Sequence, residues 1–236
     1  MIDNIIPSEK WEFDEQVTKC FQNMLSRSIP QYEIMRSLTF SIGRHYVKEN
    51  TEIIDLGCSN GIAIEPFVYR FKNNVHFTLI DISEPMLNEC RKKYKEEIKN
   101  QKMDIMYLDL RENFPKTSAS LILSILTVQF VPIEYRMKII KNVYENLVPG
   151  GAFIFIEKVL GETAELNDLF VDEYYNIKRE NQYTEEQIKS KRKSLEGVLT
   201  PVTAKWNEEL LKNAGFQKTE CFWRYLNFAG WVAVKD

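Results

Sequence analysis

The chain has two histidines and four cysteines in 236 residues. Cys20, Cys58, Cys90 and Cys221 stand far apart with no C-x-x-C pair, a spacing that signals neither a zinc site nor a disulfide framework. Reduced thiols and no bound metal are expected. Charge of one sign is lacking too: 31 Lys and Arg stand against 34 Asp and Glu, a formal net charge of -3. No global positive field therefore exists to hold nucleic acid through counterion release. No apolar run approaches the ~18 residues of a membrane span, and the first residues, MIDNIIPSEKWEFDE, carry acidic groups where a secretory leader would be apolar. These absences predict a cytoplasmic protein with no membrane partner and no direct nucleic-acid partner. Internal repeats and low-complexity linkers are also missing, and with 44% hydrophobic residues the length suits one domain over 1–236.

Apolar runs alternate with helical periodicity through the first two thirds of the chain, the pattern of βαβ units and a parallel sheet. EIIDLG (52–57), VHFTLID (75–81), MDIMYLDL (103–110), SASLILSILTVQF (118–130) and GGAFIFIEKV (150–159) read as strands. SEPMLNECRKKYKEEIKN and IEYRMKIIKNVYENLV read as helices. Ser83 is the expected N-cap of the first, with Met86, Leu87 and Cys90 inward. VPGG (148–151) reads as the turn that stops the second helix and launches a strand. QKTECFWRYLNFAGWVAVKD (217–236) reads as two strands close enough to form an antiparallel hairpin. The expected fold class is α/β, a mostly parallel seven-stranded sheet with that antiparallel C-terminal hairpin. Two segments lie outside the repeat: extra N-terminal helices over 13–49 and a charged helical arm over 163–200, inserted after strand 5.

Open α/β sheets bind ligands at the carboxyl ends of their strands, which is where DLGCSNG (55–61) leaves the first strand. Gly57 and Gly61 give a backbone that a ligand can approach closely. Asp81 ends the second strand about 20 residues later, where a carboxylate can accept hydrogen bonds from an adenosine ribose. A dinucleotide fingerprint needs G-x-G-x-x-G, and GCSNG lacks the third glycine.

This pairing resembles the first motif of the class I methyltransferases that use S-adenosyl-L-methionine (SAM). The resemblance implies their Rossmann-like fold. It also implies that Asp55, Gly57, Cys58, Ser59 and Gly61 form the loop around the methionine part, that Asp81 takes the ribose, and that Ile82, Asp109 and Leu110 lie at the adenine. The flanks narrow it. WEFDEQVTKCFQNMLSRSIPQYEIM, TVQFVPIEYR, IKRENQYTEEQIKSKRKSLEGVL and NAGF with NFAGWVAVK are similar to the corresponding segments of the carboxy-S-adenosyl-L-methionine synthases. Those enzymes belong to the pathway that builds 5-oxyacetyl uridine at the tRNA wobble position. Nearly the whole chain is covered. The resemblance implies carboxylation of the SAM methyl group with prephenate as carboxyl source, so that SAM, carboxy-SAM or S-adenosylhomocysteine would occupy the pocket. It further implies that Tyr32 contacts SAM, and that Arg192 grips the new carboxylate from a partner subunit, hence a homodimer. A guanidinium suits that task through permanent charge and bidentate geometry. Two positions depart from the family: Ile125 replaces a SAM-contacting asparagine, for which Ser124, Thr127 or a backbone group would have to substitute, and Asn60 replaces a bulkier residue.

Methyl transfer from a sulfonium needs alignment, and a base only when the acceptor requires one. His45 and His76 are expected in helix or strand bodies away from the pocket, and no Asn-Pro-Pro-Tyr motif is present. Carboxyl transfer needs no protein base if decarboxylation supplies both carbon dioxide and the proton acceptor; the protein then excludes water and grips carboxylates. Arg192 would be essential, with Arg179, Lys191 and Lys193 as helpers. Tyr174, Tyr175, Tyr183, Trp206, Trp223 and Trp231 are read first as core or interface aromatics. Three readings stand at this level: a carboxy-SAM synthase, a SAM-dependent methyltransferase acting on a small molecule or tRNA, and a catalytically silent SAM-binding subunit.

Overall fold

In a computed structural model that describes residues 1–236, the central strands are buried on both faces, and successive side chains point to opposite sides of the sheet, which divides the interior into two cores. The elements run α1 (Glu15–Ser28), α2 (Tyr32–Gly43), β1 (Glu52–Leu56), α3 (Glu65–Phe71), β2 (His76–Asp81), α4 (Glu84–Lys93), α5 (Lys95–Lys99), β3 (Met103–Tyr107) and β4 (Ala119–Ile125). Then follow α6 (Ile133–Asn146), β5 (Leu147–Leu160), α7 (Ala164–Glu180), α8 (Glu185–Leu195), β6 (Val202–Thr203), α9 (Ala204–Ala214), β7 (Lys218–Tyr225) and β8 (Phe228–Val234). Ile53, Leu121, Leu123, Ile154 and Ile156 pack on one side with Phe67 of α3 and Leu87 of α4. Ile54, Ile122, Phe153 and Phe155 pack on the other with Ile139 of α6 and Leu211 of α9. Each such side chain contributes roughly 1.5–3 kcal/mol by leaving water, and a one-residue slip would exchange the two cores.

The sheet order is β3-β2-β1-β4-β5-β8-β7. All pairings up to β4–β5 are parallel, and β8 joins β5 and β7 antiparallel, as the spacing of the last two strands predicts. One strand was not expected: β6 adds two residues alongside the end of β5, with Val159 opposite Val202. Several boundaries also differ. The 83–100 helix breaks at Tyr94, which serves as the cap between α4 and α5 and donates its hydroxyl to Gly61 O at 2.6 Å. The fourth strand stops at Ile125, and residues 128–130 form a 3-10 turn. VPGG lies inside β5, whose strand conformation begins at Leu147, with Gly150 at φ 70° providing the irregularity. Ser83 caps α4 as expected, accepting from Met86 N, and Met86, Leu87 and Cys90 are fully buried.

The arm is two helices, α7 and α8, folded onto their own chain. Asp3 anchors it: its carboxylate accepts from Lys191 Nζ at 2.6 Å and from the Tyr183 hydroxyl. Arg27 of α1 donates to Asp3 O, Asn181 O and Gln182 O, each at 2.8 Å. This clasp ties the N-terminal segment, α1 and the α7–α8 turn together over the carboxyl ends of the strands.

Candidate active site

A cavity of about 350 Å³ opens at those strand ends, within the ~300–1,000 Å³ of small-molecule sites. Tyr32, Asp55, Gly57, Cys58, Ser59, Asp81, Ile82, Asp109, Leu110 and Ile125 all line it. Gly61 and Arg192 do not. A Cβ at Gly61 would stand 2.8 Å from the Tyr94 ring and 3.1 Å from Cys90 Sγ, so this glycine makes room for α4 and its cap. Gly57 is likewise hemmed in by protein: a Cβ there would run into the Thr127 side chain, and its φ of 69° disfavours any side chain. Both glycines have the left-handed φ that favours glycine and let the loop nest against Thr127 and Tyr94; Gly57 also borders the cavity, whereas Gly61 does not.

Asp81 organises the loop. Its Oδ1 accepts from Ile82 N and Ser83 N, and its Oδ2 from Ser59 N at 2.8 Å. These bonds hold Ser59 at a left-handed φ of 47° and leave one of the carboxylate's roughly four acceptor positions unfilled. Asp55, at 1% exposure, has an Oδ2 with no partner. Burial, reinforced by the Asp81 charge and opposed by Arg36, pushes its carboxyl up to about 7. A buried, orphaned carboxylate oxygen in a cavity wall calls for a donor or cation from outside. Asp109, by contrast, is already held by the Arg111 guanidinium through both oxygens, and that pairing keeps its carboxyl below the usual range.

The opposite wall is cationic, and the residues that form it were not singled out from the sequence. Lys158, from the end of β5, and Lys178, from the inner face of α7, both line the cavity around Tyr174. The signal for Lys158 was present: Glu157-Lys158 is a charged pair closing an otherwise apolar buried strand. Glu157 accepts from Val128 N at 2.9 Å and so supports the turn after β4; burial, partly offset by Arg136, pushes its carboxyl up to about 8. Arg36 of α2 also lines the cavity and donates to Ile62 O in the glycine loop.

Residues 53–151 match the family model described as a methyltransferase domain. The carboxy-S-adenosyl-L-methionine synthase of Methylococcus capsulatus is 35% identical over 224 residues, 94% of this chain and 93% of that protein. That of Nautilia profundicola is 37% identical over 230 residues, 97% of each. The chain belongs to the carboxy-S-adenosyl-L-methionine synthase family. It is an enzyme, a SAM-dependent transferase of the methyltransferase superfamily, and not a silent binding subunit. Solved structures agree on the fold alone. Human N-acetylserotonin methyltransferase in complex with SAM superposes with a TM-score of 0.59 at 16% identity, over 94% of this chain and 55% of that longer one. Haemonchus contortus phosphoethanolamine N-methyltransferase 2 gives 0.58 at 14% identity, over 84% and 53%.

Within this carboxy-SAM synthase family member, Arg192 sits on the exposed side of α8, beside the Tyr175 hydroxyl. The buried stripe of α8 is Gln187, Ile188, Lys191 and Ser194, so Arg192 points away from its own chain's cavity. Of the expected helpers, Arg179 is exposed and paired with Glu185, Lys193 is exposed, and only Lys191 reaches the cavity, already bonded to Asp3. Thr127 lines the cavity next to Ile125 whereas Ser124 does not, which makes Thr127 the hydroxyl available near the missing asparagine. His76 pairs with Asp104 at the start of β2, and His45 lies in the turn after α2; neither borders the cavity. Among the aromatics, Tyr174 alone of the six lines it. No helix is long and apolar enough to cross a membrane.

Proposed function

We propose that this enzyme converts SAM and prephenate to carboxy-SAM, and that its product serves tRNA wobble-uridine modification in the cytoplasm. The observation that carries the reading is the cavity's acidic wall, where the orphaned Asp55 Oδ2 and the free acceptor position of Asp81 fit a cationic nucleoside. The family supplies the reaction. Bound SAM supplies a methyl group made acidic by the adjoining sulfonium. The bond from prephenate's ring to its carboxylate breaks to give carbon dioxide, and the ring becomes aromatic by expelling hydroxide. That hydroxide takes a methyl proton to form water, and the methyl carbon bonds the carbon dioxide as phenylpyruvate leaves.

The chain's residues bind and exclude. Asp81 takes a ribose hydroxyl, Ile82 and Leu110 pack the adenine, and Tyr32 closes the methionine end. Leu126, Phe130 and Val131 give the cavity the apolar lining that keeps bulk water from capturing the hydroxide. Arg192, exposed on α8, is offered to a second subunit of a homodimer, where it holds the new carboxylate. Incubation with SAM and prephenate followed by mass spectrometry tests the reading: carboxy-SAM, heavier than SAM by one carbon dioxide, is expected. A second reading, methyl transfer to a small molecule or tRNA, is favoured by Ile125 in place of the family's asparagine. It takes over if SAM and prephenate are returned unchanged while S-adenosylhomocysteine accumulates with an added acceptor.

A further inference from the structure

Lys158 and Lys178 meet at one aromatic surface. Lys158 Nζ lies 4.6 Å from the centre of the Tyr174 ring and 5.8 Å from that of Phe228, its partner across the β5–β8 ladder. Lys178 Nζ lies 4.9 Å from the same Tyr174 ring, four residues along α7, and 5.5 Å from Tyr183. Neither ammonium belongs to any ion pair of the chain. Lys191, close by on α8, is neutralised by Asp3, and Arg36 is engaged at the glycine loop.

Two partnerless ammonium groups around one ring are unfavourable. The attraction of a ring face for a cation is weaker than the cost of withdrawing a charge from water without a counterion. Burial, reinforced by Lys178, lowers Lys158 to about 7, and burial lowers Lys178 to about 8 despite the Asp3 charge. Lys178 is 7% exposed. An anion bound between them would supply what the chain does not.

We propose that Lys158 and Lys178 form the carboxylate subsite for the co-substrate, an organic dianion whose apolar ring rests on Tyr174 and Phe228, and that they hold the carboxylate it keeps and not the one it loses. The inference rests on the proposed use of prephenate. The choice of carboxylate follows from electron flow. Decarboxylation moves charge off the departing carboxylate, so a cation fixed on it would stabilise the starting state more than the transition state and slow the step. The retained carboxylate does not change charge, and two cations there supply affinity without that cost. The acidic wall at Asp55 and Asp81 repels a dianion, which leaves the lysine end as its place.

S-Adenosylhomocysteine lacks the reacting methyl group, so its complex binds the co-substrate without turnover. Calorimetric titration of that complex with prephenate and with phenylpyruvate, which keeps the retained carboxylate, should show both weakened at least about tenfold by Lys158→Met and by Lys178→Met. SAM affinity should stay within about twofold, which also certifies folding, and Lys158→Gln and Lys178→Gln provide a second, polar pair of variants. A loss of SAM binding with prephenate binding unchanged would assign the pair to SAM's own carboxylate and overturn the proposal. Weakening confined to prephenate would assign it to the departing carboxylate and overturn it equally. If the wild-type enzyme makes no carboxy-SAM from SAM and prephenate, the parent reading falls and this one with it. If the wild type makes it and the variants match its KM for prephenate, only the subsite falls.

Discussion

Asp55 is an acid that folding makes uncomfortable: buried, beside Asp81, with one oxygen unpaired and its carboxyl pushed up to about 7. A cation bound against it favours the ionised form and so lowers that value, and the site must then release a proton as SAM enters below pH 7. SAM affinity is expected to rise with pH, approaching about tenfold per unit below 7 and flattening above. Calorimetry at pH 6 in two buffers of different ionisation enthalpy reads the released proton directly. Asp55→Asn should bind SAM more weakly and lose the pH slope; an unaltered slope in that variant would remove Asp55 from the role. Asp81 differs from it. Its oxygens already accept three backbone N–H groups, so Asp81→Ala would remove both the proposed ribose contact and the bonds that hold Ser59 in a left-handed conformation. The expected loss of SAM affinity is about 1–3 kcal/mol, what a lost charge-assisted hydrogen bond costs, and unchanged affinity would refute its part in the site.

Among the elements, strands were the legible part and the arm's placement was not. Continuous apolar runs such as ILSI and AFIFI mark strands buried on both faces, and the pleat then sends Ile53 and Ile54, or Phe153 and Ile154, into opposite cores. The glycine loop and Asp81 were legible for a similar reason, because a turn and a strand end are local. What Gly57 and Gly61 face was not, since Thr127 and Tyr94 arrive from distant segments. The lysine wall was hidden in the same way: Lys178 is one of many charges on an apparently solvated helix until α7 is laid over β5. Asp3 is the extreme case, a residue near the N-terminus that becomes the hub of the arm's clasp. Burial pushes its carboxyl up, but the bonds from Lys191 and Tyr183 outweigh this and leave it below its usual value. A group of this kind contributes stability above its unfolded value of 3.8, lost as pH falls through the folded one. Asp3→Asn leaves Lys191 buried without a counter-charge and should cost about 3 kcal/mol in urea denaturation at pH 7. Amide exchange should quicken in α8 before it does in the central strands; a uniform change along the chain would show that the clasp is not a local lid.

At the level of the whole molecule, one chain encloses a cavity with an acidic and a cationic wall, yet directs Arg192 outward. The arm is fastened to its own α1 by Arg27 and Asp3, and turning Arg192 inward would bring Lys191 out of its pairing, because adjacent residues on a helix face different directions. In the proposed homodimer, Arg192 would therefore serve a site built by the other copy. This makes a defined expectation for mixed dimers. Arg192→Leu retains an intact SAM pocket but offers no arginine, and Asp81→Ala offers the arginine but has a damaged pocket. Each alone should be nearly inactive in carboxy-SAM formation. Co-expressed in equal amounts, about half of the dimers pair one of each, and every such dimer holds one complete site, so about a quarter of the wild-type activity should return. An arginine acting within its own chain gives no recovery, since neither subunit then carries both groups, and the mixture would remain as inactive as its parts.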